Sequence, residues 1–120
     1  MITSYNCFSI ETFRGDTHDV KFTINNPDKI FPKDFEINEI YFSVKKENAG
    51  RLLFQKKLSD GTIFKIDDTY FLRIESSDTA DLAIGDYVCD FEISGTNGVV
   101  KTFSGKIHIY PDVTTERDKA

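Results

Sequence analysis

The feature that most limits this chain is a strict two-residue alternation of apolar and polar side chains, repeated in short runs. In "DVKFTI", Val20, Phe22 and Ile24 share one face and Lys21 and Thr23 the other. "EIYFSVKKE" repeats the pattern with Ile40, Phe42 and Val44, and "DTYFLRIES" with Tyr70, Leu72 and Ile74 against Phe71 and Arg73. "DYVCDFEIS" places Tyr87, Cys89, Phe91 and Ile93 opposite Val88, Asp90, Glu92 and Ser94. The same period gives Phe8 and Ile10 in "CFSIET", and Val99, Phe103, Ile107 and Ile109 near the end, with Lys101 and Gly105 as exceptions. "RLLFQKKL" is less regular, offering Leu52, Phe54 and Leu58 on one face or Leu53 on the other. A period of two buries one face and wets the other, which is the pattern of antiparallel sheets and not of strand–helix–strand units.

Turn chemistry falls between these runs. Asp60-Gly61 and Asn97-Gly98 suit tight hairpins whose central residues need positive φ. Gly15-Asp16 and Asn48-Ala49-Gly50 divide two further pairs. Residues 25–38 form a long polar loop, whose Ile30, Phe31 and Phe35 are expected to plug one end of the fold. "SSDTADLAIG" predicts one helical turn capped by Ser77 or Asp78. With 120 residues, eleven Phe, five Tyr and no Trp, the chain predicts a single domain over residues 1–114. Residues 115–120 are expected to be a frayed tail. The fold class is therefore all-β: an antiparallel two-sheet sandwich of about seven strands with one short helical turn, a small closed barrel being the competing architecture.

Tyr87-Val88-Cys89 refines this expectation. A tyrosine two residues before a cysteine on the sixth or seventh strand of a sandwich resembles the tyrosine corner of immunoglobulin-like domains. The alternative is a plain buried aromatic on an alternating strand. No Trp is available to pack on an inter-sheet disulfide, and Cys7 sits in the first run, not the second. The opening "MITSYNCFSI" has neither the basic start nor the long apolar run of a signal peptide, so both cysteines are expected to be reduced.

Composition excludes several functions. A net charge of −5 argues against nucleic-acid binding, which needs a surplus of Lys and Arg. No run is long and apolar enough to span a bilayer as a helix. His18, His108, Cys7 and Cys89 are the only nitrogen and sulfur ligands for a structural zinc, and they lie at opposite ends of the chain. There is no nucleophile elbow and no glycine-rich phosphate loop, and the acidic runs "DGTIFKIDD" and "SSDTAD" read as solvated loops. Cys89 falls on the apolar face, as an inert thiol would, and His108 on the wet face of the last strand. "RGDT" at Arg14 to Thr17 reads as a turn, since a turn there needs Gly and Asp for backbone reasons. Neither catalysis nor any metal or cofactor is expected.

Several segments together carry a more particular likeness: "FRGDT" before an alternating strand, "IYFSVKK", "LSDGTI", "DTADLAIGDYVCDFEI", and "TNGVVKTFSGKIHI" followed by "DVT". This order resembles small β-sandwich proteins of phage and prophage tails, including the N-terminal domain of baseplate upper proteins. The resemblance implies a non-enzymatic structural subunit that packs on copies of itself or on neighbouring tail proteins. It also implies synthesis in the bacterial cytoplasm, then incorporation into a virion. The alternative is an Ig-like binding or adhesion module that recognises a carbohydrate or a host protein. Leu53, Phe71, Val88 and Val100 stand out of phase with the buried sets. They are candidates for a partner surface, or for a second small core beneath the long loop.

Overall fold

The computed structural model describes residues 7–24, 36–96, 98 and 100–112. Eight strands occur among them: β1 (Cys7–Phe13), β2 (His18–Phe22), β3 (Ile37–Lys45), β4 (Leu52–Lys57), β5 (Ile63–Ile66), β6 (Thr69–Ile74), β7 (Gly85–Gly95) and β8 (Val100–Tyr110). One helical turn, α1 (Ser76–Thr79), separates β6 from β7. Five strands form one sheet in the order β1-β8-β7-β3-β4, and three form the other in the order β2-β6-β5. The expected all-β sandwich is present.

The alternation read from the sequence decides which side chains fill the space between the sheets. Ile40, Phe42 and Val44 of β3, Leu72 and Ile74 of β6, and Ile107 and Ile109 of β8 are fully buried. Burying each such side chain contributes about 2 kcal/mol. Phe91 of β7 is the hub of an aromatic cluster that joins the layers: its ring centroid lies 4.7 Å from Phe22 of the opposite sheet, 4.9 Å from Phe42 and 5.3 Å from Phe8. Phe8 reaches this hub because Gly105 leaves room for it. A Cβ on Gly105 would come within 2.6 Å of the Phe8 ring and of its carbonyl oxygen. The Gly105 exception in the last run is therefore a notch for an aromatic ring.

Several features depart from expectation. The stretch "IFKI", read as part of an acidic loop, is the edge strand β5, joined to β6 by the two-residue loop Asp67-Asp68. Asp67 adopts φ 54°, a turn that no Gly or Asn announced. β1 pairs β8 in parallel, where antiparallel pairing was expected. The physical reason is the turn after β1. It carries the chain across to the other sheet, which leaves β1 to find a partner nearly a hundred residues later. That turn contains the Arg-Gly-Asp triplet and is fixed by backbone. Gly15 has φ 80° and donates to Thr79 Oγ1 at 2.8 Å, and Arg14 N–H donates to the Tyr110 carbonyl at 2.9 Å.

The helical turn is capped by Glu75, not by Ser77 or Asp78. Asp78 occupies the third helical position, where its carboxylate accepts from the Glu75 N–H at 2.7 Å, the return half of a capping box. On β4 the phase also differs from the sequence reading. Phe54 and Lys56 face Val44 and Phe42 on the inner side, while Leu52 is exposed at 47%. A bulge between Val44 and Lys45 resets the register. The long loop's Ile30, Phe31 and Phe35, Asn97 of the Asn97-Gly98 turn, Val99 and the 115–120 tail lie outside the described residues.

Candidate functional site

The Tyr87 hydroxyl donates to the Ala83 carbonyl at 2.5 Å, four residues upstream. That is a tyrosine corner, and Lys46 Nζ lies 4.5 Å above the same ring. Cys89, two residues on, is a free and buried thiol, and burial pushes its pKa up to about 12. Cys7 and Cys89 pair with adjacent residues of β8, Ser104 and Gly105, from opposite sides. Their backbones are thus two strand spacings apart, roughly 10 Å. That exceeds what a disulfide spans.

The four candidate partner residues do not form one surface. Leu53 packs against the core beside the β4 bulge. Val88 and Val100 point outward from the five-stranded sheet. Val88 sits opposite Lys106 and Val100 opposite Ser94, six residues apart along the ladder. Phe71 points outward from the three-stranded sheet. There it meets a residue the sequence reading overlooked: Phe64 lies directly opposite and stacks on it at 5.3 Å and 17°. Arg73 covers the Phe64 ring at 5.3 Å while making two bonds to Asp19, at 2.8 and 2.9 Å. The Arg73 hydrogen bonds lead the causes that hold the Asp19 carboxyl below its ordinary range. Ile66 completes this face with 56% exposure.

The outer face of the five-stranded sheet is different in kind. The register lines up Gln55, Ser43, Asp90 and Ser104 in one row across β4, β3, β7 and β8. Lys57, Tyr41, Glu92 and Thr102 form the next row. Two adjoining hollows of about 280 and 530 Å³ lie over these rows and share Ser43, Lys45 and Asp90. Gln55 donates to Ser43 Oγ at 3.0 Å, and Lys57 Nζ stands 5.8 Å from the Tyr41 ring. Partial burial raises the Asp90 pKa against the opposing pull of Lys45.

Nearer the β1 edge, His108 Nδ1 pairs with Asp86 at 2.5 Å and the His108 ring meets Tyr110 edge-on. The Tyr110 hydroxyl donates to Glu11 at 3.1 Å. His108 is thus on the outer face, as its alternation with Ile107 and Ile109 predicts. Among the described residues no three His, Cys, Asp or Glu side chains stand close enough to hold a metal ion. A buried ionic cluster went unread in the sequence. Lys56, with a side chain 5% exposed, reaches Asp78 at 2.5 Å and Glu75 at 3.7 Å. It ties β4 to the helical turn that follows the three-stranded sheet.

A first strand parallel to the last, a three-stranded partner sheet, a helical turn before β7 and a tyrosine corner define an Ig-like β-sandwich. No protein-family profile and no curated protein matches the sequence. Solved structures with a similar chain course include CopC from Methylosinus trichosporium OB3b, at 14% identity and TM-score 0.48, covering 88% of this chain and 87% of that one. The fibronectin(III)-like modules of Clostridium thermocellum CbhA match at 10% identity and TM-score 0.47, covering 86% and 88%. The first Ig-like domain of human CD48 matches at 8% and 0.37, covering 89% and 84%.

Proposed function

We propose that this chain is a non-enzymatic structural module of a phage or prophage tail that acts by protein–protein assembly, with the outer face of the three-stranded sheet as its contact surface. The observation that carries the reading is the Phe64–Phe71 stack on the outside of that sheet, beside the exposed Ile66. Stacked aromatics flanked by an arginine are the residue types that anchor protein interfaces. β5 is a short edge strand, and its Ile63 and Lys65 are the residues not exchanging bonds with β6, so their backbone groups point toward the open edge. An incoming strand or sheet would meet apolar rings and free backbone groups together. The sequence likeness to tail sandwiches supplies the setting for such an assembly.

The test is absolute mass by light scattering behind a sizing column over a wide concentration range. The expected result is a discrete oligomer that persists on dilution. The Phe64→Ser, Ile66→Lys double variant should run as a monomer with unchanged circular dichroism. A wild-type chain that is monomeric at every concentration, or a double variant that assembles as well as wild type, overturns the proposal.

A further inference from the structure

The opposite face carries a second surface whose chemistry does not suit a protein partner. β3, β7 and β8 are interior strands over most of the track, so their backbone groups are engaged in the ladders and offer nothing for strand addition. The hollows hold no cluster of aromatic anchors. Their floor is instead a row of side chains that each carry a hydrogen-bonding group: the Gln55 amide, the Ser43 hydroxyl, the Asp90 carboxylate and the Ser104 hydroxyl. Neighbours in this row are one strand spacing apart, so the row runs roughly 14 Å across the sheet.

We infer that this row is a binding track for a short neutral oligosaccharide of about three pyranose units, with Tyr41 as a stacking platform beside it and Asp90 as the central acceptor. A pyranose unit is about as long as one strand spacing, so three units span the three spacings between the four residues of the row. Sugars offer hydroxyl donors and acceptors around a ring whose C–H face stacks on an aromatic side chain. The lining has the same two components. Gln55 is already oriented by its bond to Ser43, which leaves its carbonyl oxygen free to accept. Among the described residues no hydrogen-bond donor engages Asp90, whose carboxylate lies partly buried between the two hollows. A partly buried carboxylate without a donor gains from ligand hydroxyls, because charge-assisted bonds are about twice as strong as neutral ones. Glu92 beside Tyr41 adds a second negative charge, and Lys45 and Lys57 balance the two carboxylates. The track therefore carries no net charge with which to hold a polyanionic sugar and suits a neutral one. This surface lies on the other side of the sandwich from Phe64 and Phe71, and the inference stands independently of assembly.

The experiment is an amide chemical-shift titration of the labelled protein against defined soluble trisaccharides. The panel contains gluco-, manno-, galacto- and N-acetylglucosamine-based neutral members, with trigalacturonate as the acidic counterpart. At least one neutral member should shift amides of β3, β4 and β7 with a dissociation constant in the micromolar-to-millimolar range, and trigalacturonate should shift none. Tyr41→Ala and Asp90→Asn should each weaken binding about tenfold or more, while Asp68→Asn, at the exposed turn between β5 and β6, leaves it unchanged. No shift from any neutral trisaccharide at high millimolar concentration overturns the inference. So does binding that is indifferent to both groove variants, or that trigalacturonate matches.

Discussion

Lys56 offers the sharpest test of how this sandwich is held together. Its ammonium is buried and neutralised by Asp78 at 2.5 Å, with Glu75 at 3.7 Å on the more exposed side. Removing the partner of a buried charge costs about 3 to 5 kcal/mol, whereas replacing the charge itself by an apolar group of like size is near neutral. Asp78→Asn keeps an acceptor for the Glu75 N–H but strips the ammonium of its main counter-charge. Glu75 and the 14% exposure of the Asp78 side chain relieve part of the cost, so we expect a loss of about 2 to 3 kcal/mol. With a urea slope of about 1 to 3 kcal/mol per molar, the midpoint falls by about 1 M or more. Lys56→Met places a flexible thioether against Phe42 and Phe54, and its stability should stay within about 1 kcal/mol of wild type. The double variant should be close to Lys56→Met alone, giving a coupling of about 2 kcal/mol. Equal costs for the two single variants, or additive costs in the double, would refute the reasoning.

Three further outcomes follow from the same geometry. Gly105→Ala should destabilise by about 1 to 3 kcal/mol, because the new methyl meets the Phe8 carbonyl as well as its ring and backbone cannot yield; faster amide exchange along β1 would accompany the loss. Asp86 has its pKa lowered chiefly by the His108 hydrogen bond, so its contribution is present above the ordinary carboxylate pKa and is lost as pH falls through the lowered value. An NMR titration of His108→Asn should return the Asp86 pKa toward the usual range, and an unmoved value would remove His108 as the cause. Cys89, with its pKa pushed to about 12 in a buried site, should resist a thiol reagent at neutral pH until the protein is unfolded, and rapid native-state labelling would contradict its burial.

Much of the core was legible before any coordinate. The buried sets of β3, β6 and β7 and the Tyr87 corner appear where the pattern put them. Gly61 takes its expected positive φ, but Asp60 does not, and the turn carries the chain from β4 to β5 of the other sheet instead of closing a hairpin. These are local properties. Alternation follows from the pleat of a single strand, and a turn's φ requirement follows from its own few residues. β5 escaped because it is four residues long, with Ile63 inside and Phe64 and Ile66 outside, and the turn that follows it is made by Asp67-Asp68 with no glycine to mark it. Lys56 escaped because a lysine reads as solvated unless its counter-charge is known, and Asp78 arrives from another sheet's turn.

By itself, then, the sequence determined that this chain forms short half-buried strands, which faces they bury, and that one tyrosine ties its strand to the preceding turn. Only the tertiary structure decided that β1 runs parallel to β8. It also stacked Phe64 on Phe71 and lined up Gln55, Ser43, Asp90 and Ser104 across four strands. The difference is physical. Strand order and register are fixed by packing between residues far apart in the chain, and a surface assembled from several strands exists only once that registration is made.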